Sequence, residues 1–147
     1  MRRVLSALAL AAATITLALP AAAGDACADA ISSQEQRVKD ATAAIAADKE
    51  LAEKLVATAA AREKAADQKE KLASDFKAAA GKQLDMKKKG ALLELASDLE
   101  SDARADRAFA KDRRDLASLV EKARKVAEVA LDKHQRVLAM LKDKCGK

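Results

Sequence analysis

An all-α protein built as one long antiparallel two-helix coiled-coil hairpin is the fold that this 147-residue sequence predicts. Three observations carry that reading. Two long stretches lack Gly and Pro altogether, apolar residues recur within them every seven residues, and a single short segment bracketed by glycines separates them. The only two cysteines stand just outside the two stretches, where a fold-back between them brings them together.

The N-terminus is set apart first. Met1-Arg2-Arg3 precedes an uncharged apolar run from Val4 to Leu19, and Pro20-Ala21-Ala22-Ala23 follows it. A cationic start, an apolar middle and small residues before a cleavage point make 1–23 a secretory signal peptide, with cleavage expected after Ala23. A retained anchor is the competing reading, but the run falls short of the roughly 20 residues that span a bilayer. Ser6, Thr14 and Thr16 also dilute it. A lipid-modified Cys27 would need a Leu-like residue three places before it, where Gly24 stands. The expected location is therefore the periplasm, or outside the cell, and the working domain is 24–147.

Composition limits what that domain can be. The hydrophobic share of 50% is dominated by Ala, and Phe76 and Phe109 are the only aromatic residues, so a deep globular core is not expected. The formal net charge of +5 falls by two when Arg2 and Arg3 leave with the signal. The charged residues, 35% of the chain, alternate in sign throughout, which describes a solvated helical surface and not a nucleic-acid footprint.

The first helix is expected over about 29–80. Ser32 with Glu35 forms a capping-box pattern at its start, and Asp29 offers a slightly earlier cap. An apolar ladder runs Ile31, Val38, Ile45, Ala52, Ala59, Ala66, Ala73 and Ala80, with Gln34, Ala41, Asp48, Leu55, Arg62, Lys69 and Phe76 three residues after each rung. A repeat of 3.5 residues sustained over so many heptads keeps one seam facing a partner helix. The turn is expected over 81–90, with Gly81 in the left-handed position that ends a helix and Gly90 opening the next. The second helix then covers 91–145. Its rungs are Leu92, Leu99, Asp106, Arg113, Val120, Ala127, His134 and Leu141, with Leu95, Asp102, Phe109, Leu116, Ala123, Ala130 and Val137 as companions. Arms of this size reach about 75 Å at 1.5 Å per residue.

Alanine seams bury little area, at about 25 cal/mol per Å², so the hairpin needs another source of stability. Cys27 and Cys145 supply it. Their midpoint falls at Met86 in the turn, and an exported protein meets an oxidising compartment, so an intramolecular disulfide is expected. No Cys-x-x-Cys motif suggests redox-active thiols. Seam charges indicate the register: with the turn centred near Leu84, Arg62 meets Asp106, Ala59 faces Phe109, Ala73 faces Leu95 and Phe76 faces Leu92. Sliding by a heptad would set Arg62 against Arg113.

No catalytic, metal or cofactor site is expected. His134 is the sole histidine and stands on a rung without a second ligand at helical spacing. Carboxylate pairs such as Glu50 with Glu53 and Asp98 with Asp102 are ordinary in a charged helix and lack an enclosed pocket. Gly-rich phosphate loops are absent as well. An enzyme is not expected.

Two surfaces exceed that background. Lys82, Lys87, Lys88 and Lys89 make a basic turn suited to weak contact with an anionic envelope surface. On the second helix, Leu119, Val126, Val129 and Met140 flank the seam on one side and Leu131 and Leu138 on the other, an apolar surplus that suits a protein partner or a second copy of the chain. The function expected is that of an exported, non-enzymatic interaction or spacer element of the bacterial cell envelope. A holdase-like periplasmic chaperone is one alternative. Periplasmic chaperones with basic helical tentacles are similar in composition, but they carry a strand-built core with no counterpart here. A membrane-anchored, envelope-spanning coiled coil with a retained leader is the other.

Overall fold

The computed structural model describes residues 24–145, and the signal peptide expected over 1–23 lies outside the described residues. Helix α1 spans Gly24–Gly81 and helix α2 spans Met86–Cys145, packed against each other as a hairpin. Only 82–85 connect them, and no strand occurs among the described residues.

The connection is shorter than the glycines suggest, for reasons visible in its hydrogen bonds. Gly81 is the last helical residue of α1 and does not adopt a left-handed conformation. The helix closes instead by tightening, with Lys82 N donating to Ala79 O at 3.1 Å and Gln83 N to Ala80 O at 3.2 Å. Asp85 then caps α2. Its carbonyl accepts the first helical bond from Lys89 N at 2.9 Å, and its Oδ1 accepts from Lys87 N at 2.9 Å and Lys88 N at 3.3 Å. Such a cap contributes about 1 kcal/mol, enough to offset one glycine in a helix. Gly90 is therefore inside α2, and the helix starts at Met86 and not at Ala91. At the other end, neither Ser32 nor Asp29 caps α1, which is already helical from Gly24. Cys27, bonded to Cys145, ties that first stretch to α2.

The hairpin comprises two packed units: a turn-end unit, Leu51–Leu119, and a disulfide-end unit formed by the chain to Glu50 together with Val120 onward. In the turn-end unit α1 buries Leu55, Ala59, Ala66, Ala73 and Ala80, the ladder expected of it. Helix α2 departs from expectation. It buries Ala96, Ala103, Ala110 and Ala117, four residues after each rung, whereas Leu95 is 49% exposed and Asp102 lies at the surface. On a helix of 3.6 residues per turn, a step of four and a step of three land on opposite sides of a rung. The alanine column is buried where the seam column of α1 is alanine as well. Both helices line the seam with buried alanines, Ala59, Ala66, Ala73 and Ala80 from α1 and Ala96, Ala103, Ala110 and Ala117 from α2. Small residues on both sides admit close packing that Leu95 or Phe109 would obstruct. Leu95, expected to face Ala73, is therefore not a seam layer, while Phe109, expected to face Ala59, is half-buried beside Arg62.

The same columns continue in the disulfide-end unit with larger side chains. Half-buried Val38 and Ile45 of α1 share a column with the alanines, as do half-buried Leu131 and Leu138 of α2. Gln34, Val120 and Leu141 are buried. Cys27 and Cys145 both fall in seam columns, so their disulfide, with a Cα–Cα distance of 5.8 Å, is the terminal layer of this unit.

Candidate interaction surfaces

Seam charges are the expected register device, and the structure brings them together in the turn-end unit. Arg62 Nη1 donates to Asp106 Oδ1 at 2.9 Å, and Lys69 Nζ donates to Asp106 Oδ2 at 2.8 Å. Both carboxylate oxygens of Asp106, a buried residue, are therefore occupied. The hydrogen bond from Lys69 chiefly holds the Asp106 carboxyl below its ordinary range, against the opposing effect of burial and with help from Arg62. The same bond raises Lys69. Two cations lie over the Phe109 ring, Arg62 at 5.1 Å and Arg113 at 4.5 Å from its centre. Asp106, Arg62 and Lys69 thus satisfy one another.

In the disulfide-end unit the polar layer is Gln34 with His134. Gln34 Nε2 donates to the His134 carbonyl at 2.9 Å and lies 3.0 Å from its Nδ1. Two acceptors for the two amide hydrogens assign the ring proton to Nε2. His134 is thus a seam residue with a structural hydrogen bond. Among the described residues no group of three His, Cys, Asp or Glu converges as a metal site would require.

The flanks of the seam differ sharply in chemistry. In the turn-end unit one flank is a column of ion pairs: Lys77 with Glu100 at 2.5 Å, Arg107 with Glu70 at 2.7 Å and Asp67 at 3.1 Å, and Arg114 with Glu63. Their positions step by seven on each helix, and in the disulfide-end unit Glu35 and Lys142 occupy the same columns, paired at 2.7 Å. Hydrogen bonds from Arg107 and Lys142 hold the Glu70 and Glu35 carboxyls below their ordinary values. Val56 and Leu93 are single apolar residues in these charged columns.

The other flank is apolar. In the turn-end unit it carries Leu51 and Leu72 from α1 and Leu95 and Leu119 from α2, all exposed. In the disulfide-end unit α2 exposes Val126 and Met140 on this side, at 61% and 55%, and Val129, at 58%, on the adjoining outer face. Two residues expected on a partner surface leave it: Leu131 and Leu138 are half-buried and share the column of Ala96, Ala103, Ala110 and Ala117, so they pack in the seam. The step of four on α2 moves them there.

The basic turn is the second surface. Lys82, Lys87 and Lys88 are exposed and Lys89 is half-buried, and none of the four forms an ion pair among the described residues. Leu84 and Met86 project between them at 95% and 76% exposure. No helix of the described residues is long and apolar enough to cross a membrane. Comparison with protein-family models, with curated proteins and with solved structures gives no match.

Proposed function

We propose that this chain is an exported, non-enzymatic helical hairpin that acts as an interaction or spacer element in the bacterial cell envelope. The signal-peptide pattern over 1–23 and the Cys27–Cys145 disulfide support the compartment. The single observation that supports the role is the asymmetry of the flanks. Ion pairs close one side of the seam and leave it polar, while Val126 and Met140 stand uncovered on the other, with Val129 beside them on the outer face. Exposed apolar residues grouped away from the ion-paired flank of an otherwise charged helix are suited to a second apolar helix, from a partner protein or another copy of the chain.

The test uses a variant that leaves the seam alone. Val126→Glu with Met140→Lys removes the apolar face without touching a buried residue, whereas Gln135→Glu alters the charged flank as a control. Cross-linking in intact cells is expected to trap a homotypic or heterotypic adduct with wild type and with Gln135→Glu, and to lose it in the double variant at unchanged helicity. Equal capture by all three proteins contradicts the proposal.

A further inference from the structure

The turn has a property that hairpin stability does not explain. Leu84 and Met86 are the most exposed large apolar residues described, at 95% and 76%, against 61% for Val126. They stand among four lysines. Three of these, Lys87, Lys88 and Lys89, occupy the start of α2, which has no acidic residue in its first turn. Cations there oppose the helix macrodipole. Elsewhere in the same unit Lys69, Lys77, Arg107 and Arg114 turn to carboxylates, but the turn lysines do not. Asp85, the one acid in the connection, directs its carboxylate to the backbone amides of Lys87 and Lys88.

We infer that the turn is a membrane-docking tip, in which Leu84 and Met86 enter the headgroup boundary of an anionic bilayer while Lys82, Lys87, Lys88 and Lys89 lie against its phosphates. Charge complementarity selects an anionic surface, and the two apolar side chains select a lipid surface over a soluble polyanion, which offers them nothing to enter. The capped start of α2 suits this setting, because the Asp85 side chain already satisfies amides that would otherwise lose water. Nothing in this inference depends on the apolar flank of α2.

The experiment is vesicle sedimentation with the disulfide-bonded protein. Vesicles of equimolar phosphatidylglycerol and phosphatidylcholine are expected to bind it, pure phosphatidylcholine vesicles are not, and added salt should weaken the binding. Each of Lys87→Gln and Lys88→Gln should lower affinity about fivefold. Leu84→Ser with Met86→Ser should lower it about tenfold or more, through lost apolar burial. Circular dichroism establishes that each variant keeps its helices. The chain has no Trp, so Leu84→Trp gives a clean reporter, whose emission should shift to the blue with anionic vesicles and be quenched by lipids brominated in the acyl chain. Failure to bind anionic vesicles overturns the inference. So does binding that the double serine variant leaves unchanged, or that comes without a shift at Leu84→Trp, since the lysines would then be a site for polyanions in general.

Discussion

Replacing one seam alanine by leucine tests the packing directly. Ala66 and Ala110 are each fully buried, one in the seam column of each helix of the turn-end unit. Ala66→Leu adds three carbons where neither helix leaves room, and overpacking of this kind costs typically about 1–3 kcal/mol. For a domain of this size about 4 °C of melting temperature accompanies each kcal/mol, so a fall of about 4–12 °C is expected. Ala60→Leu is the control. Ala60 is exposed, and leucine is nearly as good a helix former as alanine, so its effect should stay within about 0.5 kcal/mol. A third variant separates the two possible rungs of α2. Leu95→Ala would cost about 2–5 kcal/mol if Leu95 filled the seam. At 49% exposure it should cost well under half of that. Thermal unfolding followed by circular dichroism, with the disulfide intact, reads all three. A neutral Ala66→Leu, or a Leu95→Ala as damaging as a core truncation, would refute the alanine-lined seam.

Other consequences are accessible to the same assay. Gly90 lies inside α2, and a Cβ added there would meet nothing within 4 Å, so Gly90→Ala should stabilise by about 1 kcal/mol, and Asp85→Ala should destabilise by about as much through loss of the cap. Cys145→Ser should lower stability by up to about 4.7 kcal/mol in the loop-entropy description, since the bond joins residues 118 apart; mass spectrometry that finds free thiols in exported protein would contradict it. Glu35, Glu70, Glu121 and Asp106 all have folded values below their ordinary 4.5 and 3.8. The folded chain therefore binds fewer protons than the unfolded chain in acid, so the stability they contribute is fully present above those ordinary values and is lost as pH falls through the folded ones. A melting temperature that stays flat through this range would contradict the ion-pair assignments.

The fold is legible in the sequence because its signals are long and regular. Helix formers without Gly or Pro, an unbroken apolar ladder on α1 and two cysteines in mirrored positions all point to one hairpin, and Arg62 and Asp106 do meet. The second rung of α2 is not legible. Leu95, Phe109 and Leu116 outweigh Ala96, Ala110 and Ala117 in hydrophobicity, yet the alanines are buried because the facing column of α1 is also alanine. Burial there is decided by the space between helices, which a single helix's pattern does not contain. That one-residue displacement also takes Leu131 and Leu138 from the partner face into the seam. The cap at Asp85 is masked in the sequence by the paired glycines, which suggest a boundary at Gly90. The ion-paired flank can be read from Glu63, Glu70 and Lys77 set a heptad apart against Glu100, Arg107 and Arg114, but only once the register is known.

We propose the exposed apolar face of α2 as the surface where this protein meets its partner. Site-specific photo-cross-linking in living cells measures it most directly, with the reactive side chain placed in turn at Val126, Val129 and Met140, and at Glu128 and Gln135 on the charged side. The account predicts adducts from the first three positions and none from the last two. Adducts from both sides alike, or from the charged side alone, would contradict it.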